Sequence, residues 1–102
     1  MVRTKYRSSL QIIADILLIT ENSAKKTHIL YKANLSYKLL CIYLSKMLDA
    51  ELICYDNGSS YDITEKGRRF LKKFNDYSQR RRTLQEHVEA VNNDKLFLEN
   101  MV

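Results

Sequence analysis

Beyond Gly67 the chain carries neither glycine nor proline, the residues that most readily interrupt a helix, and its 102 residues include only two glycines and no proline. From Thr64 onward the helical pattern runs to about Leu98. A helix of ~35 residues spans ~50 Å at 1.5 Å per residue, longer than the rest of so short a chain is wide. Such a helix cannot be packed wholly within one protomer. Phe70, Leu71 and Phe74 are placed to close a local core. After them Tyr77, Arg81, Leu84, Val88, Val91, Lys95 and Leu98 keep a strict alternation of four and three, a heptad seam interrupted by two cations.

Those cations choose the orientation of a partner helix. In a parallel pair Arg81 would face Arg81 and Lys95 would face Lys95, which repels. In an antiparallel pair centred near Glu86, Arg81 meets Val91, Tyr77 meets Lys95, Phe74 meets Leu98 and Leu84 meets Val88. Charge agrees with that choice: residues 1–63 carry a net +2, residues 64–82 carry +6 and residues 83–102 carry −3. Antiparallel packing sets the basic half beside the acidic half, so we expect a coiled-coil homodimer of that polarity. The weak point is Asn92-Asn93-Asp94, a poor helix-forming triplet at which the long helix is open to ending and a short separate one to starting.

The segment before this helix is the more finely patterned. Residues 1–7 carry Arg3, Lys5 and Arg7 with little apolar content and read as a short arm of the kind that lies along phosphates. From Ser8 or Ser9 to about Glu21, Leu10, Ile13, Ala14, Leu17 and Leu18 mark one helical face, which Ile12, Ile16 and Ile19 widen. A helix apolar around most of its circumference is covered on two sides, and we expect the long C-terminal helix to cover the second. Ser23 then reads as the cap of a short helix over residues 24–32, with Ile29, Leu30 and Ala33 turned inward. The turn Ala33-Asn34-Leu35 leads to a further helix that begins at Ser36, whose hydroxyl can accept from the free N–H groups of the next turn. Its apolar face is Leu39, Leu40, Tyr43, Leu44, Met47 and Leu48; Tyr37, Lys38, Cys41 and Ser45 lie opposite. Two short helices so joined form a helix-turn-helix, in which the second enters the major groove by its N-terminal end.

Residues 52–56 and 59–63 flank Asn57-Gly58, the pair that best tolerates a two-residue hairpin turn. Such a turn sets Cys54 opposite Tyr61 and Leu52 opposite Ile63, with all four covering the core. Thr64 follows as N-cap of the long helix, with Glu65 favourable at its positive end.

The run of helix, ELI, Asn-Gly turn and YDITEKGRRFL resembles the winged-helix domains of archaeal DNA-binding proteins, and together with the helical tail the chain is similar to the crenarchaeal 10a-type chromatin proteins of Sulfolobus. That resemblance implies a homodimer paired through antiparallel C-terminal helices with a DNA-binding winged helix at each end. The expected fold is therefore mainly α (α+β): a winged helix-turn-helix over residues 1–74 with a two-stranded wing, and a dimerisation helix over residues 75–102.

Candidate DNA contacts are Ser36, Tyr37 and Lys38 at the helix start, Lys32 and Asn34 just before it, and Lys25, Lys26 and Thr27 as phosphate clamps. The arm residues Arg3, Lys5 and Arg7 join them, as does the polar, uncharged wing tip Asn57, Gly58, Ser59 and Ser60. The seam residues named above are the dimerisation candidates. Arg68, Arg69, Lys72 and Lys73 either face DNA or keep the helix soluble, and Arg80, Arg81 and Arg82 serve the seam and its acidic partner half.

Cys41 and Cys54 have neither CxxC spacing nor neighbouring histidines, so no metal site is expected and both read as free thiols. His28 and His87 stand alone. No Gly-rich phosphate loop, nucleophile elbow or paired-carboxylate motif is present, so neither an enzyme nor a cofactor or small-molecule substrate is expected. No run is long and apolar enough to span a bilayer, and the expected location is the cytoplasm, on the nucleoid. The expected function is dimeric binding of double-stranded DNA with little sequence preference, in chromatin organisation. A sequence-specific repressor is the alternative in the same class, and a protein-interaction module is the alternative from another.

Overall fold

The computed structural model describes residues 7–56 and 58–102. Along the chain lie α1 (Ser9–Thr20), β1 (Ala24–Lys25), α2 (Lys26–Lys32), α3 (Tyr37–Asp49), β2 (Ile53–Tyr55), β3 (Ser60–Ile63) and α4 (Glu65–Asn100). Hydroxyl caps begin three of the four helices. Ser8 accepts from the Gln11 N–H at 3.1 Å, Ser36 from Leu39 at 3.2 Å and Thr64 from Gly67 at 3.0 Å. Each satisfies a backbone donor that the first turn leaves without a partner.

The expected Ser23 cap is not formed. Ser23 sits at φ 53°, and the next two residues extend as β1, pairing Ala24 with Tyr61 and Lys25 with Ser60. A ladder to β3 satisfies backbone groups that a helix start at Ser23 would have left open. The helix α2 therefore begins two residues later than expected, at Lys26, with no side-chain cap. The sheet has three strands in the order β1-β3-β2 rather than the two of a simple wing.

The hairpin register also differs from expectation. Ile53 pairs with Ile63, Cys54 with Asp62 and Tyr55 with Tyr61, and the Asp56 N–H donates to Ser60 O at 2.8 Å. Three residues, 57–59, thus lie between the closing pair instead of two, with Ser59 at φ 73° and the Asp56 carboxylate accepting from the Gly58 N–H. One residue of slip exchanges the faces of a strand. Ile53 accordingly enters the core at 2 % exposure, and Cys54, expected inward, is exposed.

Ile16, Leu17, Ile29, Leu40, Met47 and Ile53 form the fully buried centre. Thr20, the one buried polar side chain among the described residues, shares its hydroxyl proton between the carbonyls of Ile16 and Leu17, both at 3.0 Å. Leu10, Leu18 and Leu39, expected to face inward, are instead partly open to solvent. The helix α1 packs on α4, with Leu17, a residue of its first face, approaching Gly67.

The helix α4 holds 36 residues and does not break at Asn92-Asn93-Asp94. It gives the chain its extents of 69 × 28 × 20 Å. Leu71 is its last buried residue and Ser78 its last half-covered one, while residues 79–102 are exposed throughout. Among the described residues no helix is long and apolar enough to cross a membrane.

Candidate nucleic-acid interface

The turn between α2 and α3 aims the face that matters. After the last turn of α2, Asn34 takes a left-handed conformation at φ 53°. Its N–H donates to Tyr31 O at 3.2 Å and that of Leu35 donates to Leu30 O at 3.3 Å. This is the Schellman closure of a helix end, in which asparagine is among the few residues that accept the positive φ. Leu30 and Leu35 pack against the core beneath it. Asn34 is therefore first of all the residue that turns the chain, and its exposed side chain stands at the mouth of the turn.

Ser36 then caps α3, whose buried stripe of Leu40, Tyr43, Leu44 and Met47 leaves Tyr37, Lys38, Ile42 and Ser45 turned outward. Tyr37 is 61 % exposed. Against its ring lies Lys26, with Nζ 4.7 Å from the centroid, donating to the phenolic oxygen at 3.1 Å. The Tyr37 hydroxyl, and after it the Cys41 thiol, push the Lys26 ammonium up from its ordinary value, with its small burial working the other way. Lys25, Thr27 and Lys32 are exposed around the same end of the molecule.

The wing tip brings Gly58 and Ser59 to the surface, with Ser60 half covered. It carries no cation of its own, but β1 places Lys25 opposite Ser60. At the base of the wing the rings of Tyr55 and Tyr61 meet at 4.9 Å, tilted by 59°. Burial pushes the Tyr61 phenol up, and nearby Lys26 pulls it the other way. The structure thus gathers Lys25, Lys26, Thr27, Lys32, Asn34, Ser36, Tyr37, Lys38, Gly58, Ser59 and Ser60 onto the elements that form the helix-turn-helix and its wing. Arg3, Lys5 and Asn57 lie outside the described residues.

Arg7 is engaged elsewhere. Its guanidinium donates to the Asp15 carboxylate at 2.7 Å and to Asn34 O at 3.1 Å, linking Arg7 to α1 and to the turn. Ile42 and Tyr55 were missed as exposed groups on this surface. The helix pattern assigned Ile42 to neither face, and the expected hairpin, with Leu52 and Cys54 inward, turned Tyr55 outward without marking it as part of this surface.

On α4, Tyr77, Arg81, Leu84, Val88, Val91, Lys95 and Leu98 all stand exposed along one side. Arg81 lies over the Tyr77 ring at 5.8 Å. Leu84 and Val91 are 67 % and 65 % open, an unusual exposure for aliphatic residues in regular heptad spacing.

Residues 6–82 match the winged helix-turn-helix family. The chain is 40 % identical over 68 residues to an uncharacterized protein of Methanocaldococcus jannaschii, an alignment taking in 66 % of this chain and 32 % of the relative, so the chain spans about a third of that protein's length. Among solved structures it is similar to the crystal structure of Sso10a-2, described as a DNA-binding protein from Sulfolobus solfataricus. The TM-score is 0.77 at 27 % identity, covering 85 % of this chain and 95 % of that one. The likeness drawn from the sequence is thereby met.

Proposed function

We propose that this chain, which belongs to the winged helix-turn-helix family, binds double-stranded DNA through α3 and the wing and does so as an antiparallel homodimer. The observation that carries the reading is its likeness to a DNA-binding protein over nearly all of that protein's length. At 85 % of 102 residues the likeness must also reach past residue 82 into the outer half of α4.

The geometry of the helix start supports the same reading. A capped helix end with Ser36, Tyr37 and Lys38 in solvent, bordered by Lys25 and Lys32, presents donors and positive charge where phosphates and base edges are reached. Among Tyr37, Lys38, Ile42 and Ser45, turned outward on α3, only Tyr37, Lys38 and Ser45 are polar, which favours a backbone-directed, weakly selective binder that organises DNA on the nucleoid over a reader of one operator.

The exposed seam of α4 supports the dimer, and the basic inner half and acidic outer half favour an antiparallel one. Residues 1–74 then act as the reading head and residues 75–102 as the rod. The test is equilibrium binding to duplexes of unrelated sequence over a salt series. The expected result is similar affinity for each duplex, with log K falling linearly as log salt rises. Absence of binding, or binding that ignores salt, would refute DNA binding, and strong preference for one duplex would refute the architectural role.

A further inference from the structure

We infer that Lys26 is a positioning residue for Tyr37, so that the two side chains meet DNA as one unit and Lys26 is not an independent phosphate ligand; this rests on the DNA-binding reading given above. Lys26 opens α2 and Tyr37 opens α3, so the contact joins the two helices at the ends that face outward together. The ammonium donates to the phenolic oxygen at 3.1 Å and stands 4.7 Å from the ring centroid, which satisfies both the hydrogen bond and the attraction of a cation to an aromatic face.

Cys41, one turn further along α3, is a lesser cause than the Tyr37 hydroxyl of the raised Lys26 value. The Lys26 side chain is half-buried as a whole while its bond to Tyr37 lies in solvent, the usual arrangement of a long cationic side chain laid along a surface.

The consequence is directional. A phenol that accepts from Lys26 through its oxygen must send its own proton elsewhere, and with Tyr37 61 % exposed the free direction is toward solvent. Tyr37 is thereby fixed as an outward donor beside Ser36 and Lys38. An unbraced tyrosine at an exposed helix start would exchange rotamers, and ordering it on binding would weaken affinity. The short strand β1 sets this up, because pairing Lys25 with Ser60 fixes the backbone immediately before Lys26. Lys25 itself lies exposed beside the wing, where a direct phosphate contact is open to it.

A double-mutant cycle on DNA affinity separates the two roles. Lys26→Met and Tyr37→Phe are each expected to weaken binding about threefold, the scale of an exposed cation–π contact. The double variant should be no weaker than either single one, and Lys26→Arg should keep near-native affinity. The salt slope of Lys26→Met should match the parent, whereas Lys25→Met should flatten it by about 0.9, the loss of one phosphate contact. Single losses that multiply to about ninefold, a slope flattened by about 0.9 in Lys26→Met, or no loss in that variant would each overturn the inference.

Without DNA, lysine side-chain NMR should show the Lys26 titration moving down toward that of an ordinary lysine in Tyr37→Phe, and an unmoved titration would overturn the brace. Failure of the parent protein to bind DNA at any salt would strike the DNA-binding reading instead, and the titration would still decide whether Lys26 holds Tyr37.

Discussion

Replacing Gly67 by alanine sets helix propensity directly against packing. In an exposed helix interior the change would stabilise by about 1 kcal/mol. At this position the added Cβ would lie 2.2 Å from the Leu52 carbonyl oxygen, 2.8 Å from Ile63 Cγ1 and 3.1 Å from Leu17 Cδ2. A carbon–oxygen contact needs about 3.3 Å, so the start of α4 and the hairpin must separate by about 1 Å. That oxygen cannot give way freely. It accepts from the Thr64 N–H at 3.1 Å and from the Thr64 hydroxyl at 3.0 Å, and an added ångström takes both beyond hydrogen-bond range. Each lost bond costs about 1 kcal/mol and overpacking costs about 1–3 kcal/mol more. The balance is a net loss of about 2–4 kcal/mol after the propensity gain, and in a domain of this size that lowers Tm by about 10–30 °C. Thermal unfolding followed by far-UV circular dichroism, at matched protein concentration, reads this out. Asn75→Ala, on the exposed face of the same helix, gains propensity alone and should melt slightly above the parent. A Gly67→Ala variant melting at or above the parent would show that the close approach does not control this junction.

Two further outcomes are expected. Leu84→Glu places a carboxylate in the apolar layer that Leu84 and Val88 form on either side of the proposed dimer centre; the light-scattering mass should fall to that of one chain, and retention of the dimer would remove α4 as its interface. Asp15→Asn leaves the Arg7 guanidinium without the carboxylate it holds at 2.7 Å, in a pair whose side chains are only 24 % and 29 % exposed. A stability loss of about 1 kcal/mol is expected for so partly covered a pair, and an unchanged denaturation midpoint would show that the contact is incidental.

Much of the fold was legible because it is decided locally. Ser8, Ser36 and Thr64 announce helix starts by their own chemistry, and the buried stripe of α3 follows from spacing apart from Leu39, whereas of the expected α1 face only Ala14 and Leu17 are buried, beside Ile12 and Ile16. The misses have physical causes of their own. Two residues have no period, so β1 left no pattern in Ala24 and Lys25, and only the presence of β3 as a partner extends them. Asn57-Gly58 signals a hairpin turn but not whether two or three residues close it, and that single choice decided whether Ile53 or Cys54 entered the core. On the outer surface the elements were legible and the contacts were not: nothing local joins Arg7 to Asp15 and Asn34, or Lys26 to Tyr37. Propensity also overstated the weakness of Asn92-Asn93-Asp94. Three poor formers cost about half a kcal/mol each, whereas a new helix started beyond them would require a fresh nucleus.

The continuity of α4 bears on how the proposed dimer would hold DNA. One helix serves both as the last wall of the reading head, through Gly67 and Leu71, and as the rod that carries the proposed seam. Among the residues between Leu71 and Leu84 there is no glycine or proline to act as a hinge, and the rings of Phe70, Phe74 and Tyr77 meet in succession along that stretch, the first pair stacked at 6.4 Å and the second tilted by 46° at 6.0 Å between centroids. The head is therefore oriented by the rod, and bending one against the other means breaking backbone hydrogen bonds of the helix. In an antiparallel pair the two α3 helices then stand in a fixed relation set by the seam register. A seam shifted by one heptad would move the heads along the rod by about 10 Å relative to each other, at 1.5 Å per residue, which is a large fraction of the ~34 Å turn of the duplex that they would grip. In the proposed pair, register in the rod and geometry on DNA would in this way be one variable, while the cations Arg81 and Lys95 disfavour the parallel arrangement.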